Sequence, residues 1–175
     1  MRKILALAVP VALFASPALA QTSAVNGTVT IDGSVSGRCM FTVPNKTISL
    51  GEISLTSNGK LDVSKVNGRS ETLTGWCNNT TASMTVTATE LTNATAAPTG
   101  FDNRVNYTAT AVTGSTSAND TSVTAGAGAP STVGLFTGDI VVTLSGASSP
   151  NNALMVAGTY NGNVVVTLTP TVIGG

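Results

Sequence analysis

The chain has 175 residues, eight basic and eight acidic side chains, no histidine, and only 9% charged residues. The missing histidine excludes Ser-His-Asp and Cys-His nucleophilic machinery. The even charge balance argues against nucleic acid as a partner and leaves no basic patch for an anionic membrane.

The chain opens with Arg2 and Lys3, an apolar run from Ile4 to Phe14, and the small-residue site Ala18-Leu19-Ala20. This reads as a secretory signal over residues 1–20, cleaved before Gln21. The run is too short for a membrane anchor, and Pro10 and Pro17 interrupt it. Without Arg2 and Lys3 the rest carries a weak negative balance. About 155 residues remain, enough for one domain with a sizeable core.

Behind the signal, Val25, Gly27, Val29, Ile31, Gly33 and Val35 alternate with Asn26, Thr28, Thr30, Asp32 and Ser34. Period two puts an apolar or bare side on an extended chain. Such a strand needs a sheet edge, in its own domain or in another molecule; the pattern leaves both open.

Cys39 and Cys77 lie in an exported chain, so an oxidising compartment predicts a disulfide between them. Two thiols without histidine rarely hold zinc, so no metal site is expected. Arg38–Val43 reads as a strand, Pro44-Asn45-Lys46 as a turn, and Thr47–Gly51 as renewed alternation. Thr56–Lys60 and Asn78–Thr81 are turns, with a strand over Leu73–Cys77 between them. Met84, Val86 and Ala88, then Val105, Tyr107, Ala109 and Ala111, mark two more strands, separated by a loop over Thr92–Gly100. Thr113–Thr132 reads as a mobile loop with room for a short strand around Val123; too little chain follows for it to be an interdomain linker. Asp139–Leu144 and Asn163–Pro170 are strong strands, the second preceded by an Asn161-Gly162 turn signal. Many short strands separated by turns predict an all-β sandwich or barrel.

Catalytic and cofactor motifs are weak. Ser57-Asn58-Gly59-Lys60 matches Ser-x-x-Lys, but Asn-Gly makes it a turn. Asp120-Thr121-Ser122 resembles an aspartic-protease triplet without a second copy. Gly126-Ala127-Gly128 meets Ser131 where a third phosphate-loop glycine would stand. The carboxylates are scattered singly and read as solvated surface, with no calcium-loop spacing. Asn-x-Thr triplets such as Asn79-Thr80-Thr81 are expected by chance in an Asn/Thr-rich chain. Trp76 and Tyr107 read as core or interstrand packing before a sugar site. The expectation is a non-enzyme with no cofactor, metal or small-molecule substrate.

Gly27-x-Val29-x-Ile31-x-Gly33 ahead of Cys39, the spacing to Cys77, and Ile48-Ser49-Leu50-Gly51 resemble exported fimbrial subunits of the chaperone–usher type. The end, Ala157-Gly158-Thr159-Tyr160-Asn161-Gly162 leading into Val164–Leu168, is similar to the spore-coat-U-like, archaic-pilus branch. The chain ends Thr171-Val172-Ile173-Gly174-Gly175, without the penultimate tyrosine of conventional fimbrial subunits. The resemblance implies an immunoglobulin-like, Greek-key β-sandwich over residues 34–175 that lacks its last strand. It implies that a periplasmic chaperone, and then the extension of the next subunit, supplies that strand, with an outer-membrane usher guiding assembly. Residues 21–33 would be the donor extension, with Val25, Val29 and Ile31 filling pockets and Gly27 crossing a shallow point. The product would be a surface pilus serving adhesion or biofilm formation. A self-complemented monomeric coat or periplasmic protein and a carbohydrate-binding adhesin remain alternatives.

Overall fold

The computed structural model describes residues 23–171. The expected signal at 1–20 and the end at 172–175 lie outside the described residues. The chain divides into two units, 1–34 and 35–175. In the first, the described residues 23–34 form no strand. Their alternating side chains face solvent: Val25, Val29 and Ile31 are 84%, 86% and 90% exposed.

The second unit is all-β. Its strands are β1 (Cys39–Val43), β2 (Ser70–Cys77), β3 (Ser83–Ala88), β4 (Leu91–Thr92), β5 (Phe101–Asp102) and β6 (Arg104–Thr113). They continue as β7 (Thr116–Thr121), β8 (Ser131–Thr132), β9 (Phe136–Ser148), β10 (Leu154–Met155) and β11 (Val164–Thr169). The only helical turn among the described residues is a 3₁₀ turn at Val63–Lys65, capped by the Asp62 carboxylate.

The large sheet runs β1-β2-β9-β6-β4, with β7 also on β6, and every pairing in it is antiparallel. A three-stranded antiparallel sheet runs β11-β3-β8, and β10 pairs with β5 in parallel. Alternation explains how they share one core. Ile140, Val142 and Leu144 of β9, the odd residues Val105–Ala111 of β6, Met84 and Val86 of β3, and Val166 of β11 join a single buried cluster. Their threonine neighbours stay outside, as period two requires.

Cys39 and Cys77 form a disulfide between directly paired residues of β1 and β2. Trp76 is half-buried and sits across from Met40 in the same ladder, so interstrand packing describes it. Tyr107 is a core residue.

Three readings change. The segment Thr113–Thr132 is not simply a loop. Thr116–Thr121 is β7, joined to β6 by a two-residue Gly114-Ser115 turn with Thr113 opposite Thr116. Gly114 sits at φ 56°, where glycine avoids a steric cost. Asn161-Gly162 is not a hairpin turn. Asn161 exchanges backbone bonds with Thr92, at 2.8 and 3.1 Å. A Cβ on Gly162 would stand 2.8 Å from the Glu90 carbonyl, so close backbone approach requires glycine there. Finally, Asp102 and Asp120 are buried rather than solvated. Asp120 Oδ2 accepts the Ala88 N–H at 2.8 Å.

Asp102 accepts from the N–H of Ala153 at 3.0 Å and of Asn151 at 3.1 Å, and from Asn151 Nδ2 at 2.7 Å. Burial pushes its pKa up, but these bonds to the charged form outweigh burial, and the pKa lies below the ordinary carboxylate value. A depressed carboxyl adds stability that is complete above the unfolded value of about 4 and fades as pH falls through the folded value. Acid titration below pH of about 4 should therefore loosen residues 149–156, and Asp102→Asn should remove that component of the pH dependence; backbone amide NMR shifts report both. Replacing Cys39 and Cys77 together by Ala should cost about 3–4 kcal/mol, read as a lower urea midpoint.

Candidate functional site

The described residues bring together no metal-ligand cluster, and no helix among them is long and apolar enough to cross a membrane. The site with distinctive chemistry is a backbone edge. β11 pairs with β3 on one side only and so ends its sheet. Its other edge carries N–H and C=O groups without ladder partners among the described residues.

Opposite runs the segment Pro44–Glu52. Pro44 ends β1, because its ring removes a donor and fixes φ. From there to Glu52 the chain joins no ladder and makes no backbone–backbone hydrogen bond among the described residues. Alternation persists: Ile48 and Leu50 point into the fold and are half-buried, while Thr47, Ser49 and Gly51 are exposed.

Between these two edges lies a groove of about 250 Å³. Its walls include Ile48, Leu50 and Val164, and its floor includes Leu73, Tyr107 and Leu144. It continues past Leu91 into a wider, more polar part of about 670 Å³, between residues 47–54 and 155–162. Ile48, Leu50, Leu73, Val164 and Leu168 are only half-buried although each packs on the core. The core therefore has an uncovered seam along this groove.

The groove is held by polar pegs. Tyr107 lies under it, and its hydroxyl donates to the Thr89 carbonyl at 2.7 Å and the Asn163 carbonyl at 3.2 Å. That ties the end of β3 to the start of β11. Burial, then the nearby Asp120 carboxylate, pushes the Tyr107 hydroxyl up to about 12. Tyr160 anchors the far wall by donating to the carbonyls of Val156, at 2.8 Å, and Asp102, at 3.2 Å. Asn93 Nδ2 donates to the Val156 and Ala157 carbonyls at 3.2 and 3.1 Å. The wall is thus built without help from a strand on the free edge.

The sequence motifs fall elsewhere. Ser57–Lys60 is a turn in which Lys60 N–H donates to Asn58 Oδ1 at 3.0 Å. Asp120 and Ser122 fasten strands, Ser122 Oγ accepting the Tyr107 N–H at 2.9 Å. Of the expected site residues, Cys39 and Cys77 meet. Val25, Gly27, Val29 and Ile31 lie in the first unit, exposed. The groove-lining Ile48, Leu50, Leu73 and Val164 were legible as strand residues, not as a site. The available signal was an alternating run, Thr47–Gly51, behind a proline.

No family model, no curated protein and no solved structure matches the chain.

Tyr107→Phe should destabilise the fold by about 0.5–1.5 kcal/mol, the net worth of one hydrogen bond, and should shift the amides around Thr89 and Asn163 most. In the parent chain the tyrosine's raised pKa adds stability that is complete below pH of about 10. It is lost as pH rises through about 12. Tyrosinate absorbance followed together with unfolding should show this loss, and Tyr107→Phe should lack it.

Proposed function

We propose that this chain is a structural subunit of a bacterial surface pilus, an incomplete immunoglobulin-like Greek-key sandwich that polymerises by strand exchange. The observation that carries the reading is the start of β11, unpaired on one side, facing residues 46–50 of the unpaired segment across a groove lined by Ile48, Leu50, Leu73 and Val164. The same chain carries an exposed extended stretch with apolar side chains at alternate positions.

Dimensions support the match. The groove wall from Lys46 to Ser54 spans about 26 Å as an extended chain, and Val25–Val35 spans about 33 Å. An inserted strand would give both edges ladder partners and place Val25, Val29 and Ile31 on the half-buried seam. Each side chain would contribute about 1.5–3 kcal/mol on full burial. By the resemblance, Gly27 crosses a shallow point of the groove. A head-to-tail contact of this kind does not close on itself, so it builds a filament.

By the resemblance, a periplasmic chaperone occupies the groove first and an outer-membrane usher directs exchange, so the route is export to the periplasm and then the cell surface. Adhesion or biofilm formation is the role that follows. No nucleic acid, small-molecule substrate or catalysis enters the reading.

Surface-sheared material run unboiled on an SDS gel should give an evenly spaced ladder that collapses to one band on boiling. Deleting residues 21–33 should abolish the ladder, and Val29→Asp should weaken it by placing a charge against the apolar groove. A single monomer band from well-expressing parent cells would sink the proposal.

A further inference from the structure

The second interface follows from where chain and groove end. Residues 46–50 line the groove's narrow part with 162–164, residues 47–54 line its wide part with 155–162, and bridges from Ser54 to Leu61 and from Lys60 to Leu154 set the 54 end beside 154. The segment 46–54 therefore runs antiparallel to 155–164. A donor strand antiparallel to β11, the orientation of every pairing in the two larger sheets, enters beside Lys46 and leaves beside Met155–Gly158.

At that exit stands an exposed apolar pair. Leu154 lies directly across from Phe101 in the parallel β10–β5 ladder. They are 40% and 38% exposed. Leu154 also reaches Gly59, which lines the groove.

The donor chain reaches its own folded domain almost at once. Only Ser36, Gly37 and Arg38 separate Val35 from Cys39. Four Cα steps reach at most about 14 Å. Arg38 is already fixed, its carbonyl accepting the Asn78 N–H at 3.0 Å. The disulfide end of the donor domain must therefore stand against the exit end of the acceptor.

That end carries the other apolar patch. Met40, opposite Trp76, is 57% exposed, and Leu135, just ahead of β9, is 63% exposed. The two patches occupy opposite poles. β9 runs from Phe136 at the disulfide end to Ser148 near the β5 end, about 40 Å of strand.

We infer that Met40, Trp76 and Leu135 of one copy pack on Phe101 and Leu154 of the next, a second head-to-tail contact that fixes the angle between subunits. The inference rests on the strand-exchange reading. It adds a partner surface that the exchanged strand alone does not require. Covering large exposed apolar side chains on both faces supplies the driving force.

Cysteine pairs test it. The described chain has no free cysteine, so Leu135→Cys/Leu154→Cys adds one thiol at each pole. Full-length protein carrying both is assembled in its host, sheared off and mildly oxidised. A ladder that survives boiling without reductant and collapses with it is the expected result. A second variant, Leu135→Cys/Thr47→Cys, places the acceptor thiol at the opposite end of the groove and should give a boil-sensitive ladder. All the substituted residues are exposed, so folding is retained, and the unboiled ladder of each variant checks assembly. An unboiled ladder with no boil-resistant species in the Leu154 variant would overturn the patch pairing while leaving strand exchange intact. Boil-resistance confined to the Thr47 variant would overturn the orientation. Absence of any ladder from the parent chain would remove strand exchange and the patch contact together.

Discussion

The fold turns on one unfinished ladder. β11 has β3 on one side and nothing of its sheet on the other. Backbone N–H and C=O groups on such an edge are satisfied by water, and the side chains beneath them stay partly wet. Ile48, Leu50, Leu73 and Val164 are half-buried for this reason. A ladder closed on that side would bury them. The seam leaves apolar area in contact with water.

Polar bonds fasten one wall of the seam. Tyr107 ties β3 to the start of β11 from beneath. Tyr160 and Asn93 hold the far wall by its carbonyls, and Asp102 pins the loop that leads into it. The disulfide anchors β1 on β2, just before Pro44 turns the chain out of the ladder.

Much of this was legible in the residues, and what was not has physical causes. Period-two alternation located most of the long strands because threonine and valine sort cleanly between faces. The cysteine pair followed from chemistry alone. β7 was hidden because its inward positions are Ala118 and Asp120, small and charged, so hydrophobic alternation gives no signal. The Gly114-Ser115 dipeptide was the remaining clue to a hairpin. Asp102 and Asp120 were misjudged because each buried carboxylate accepts a backbone N–H brought from far along the chain, from a loop 49 residues away and from a strand 32 residues away. The groove was not legible at all as a site. It is defined by two segments that do not pair, and sequence pattern reports a strand's faces, not its partners.

The central claim is that residues 25–35 complete the sheet of another copy. The most direct test is hydrogen exchange on the chain lacking residues 21–33, with and without a peptide of residues 23–36. Among the described residues the core side chains all lie between Phe41 and Leu168, so the shortened chain keeps them. The account predicts fast exchange at the outward-facing amides of β11 and at Thr47–Glu52 without peptide, and strong protection of both edges when it is added. Edges already protected in the shortened chain, or unchanged by the peptide, would contradict it.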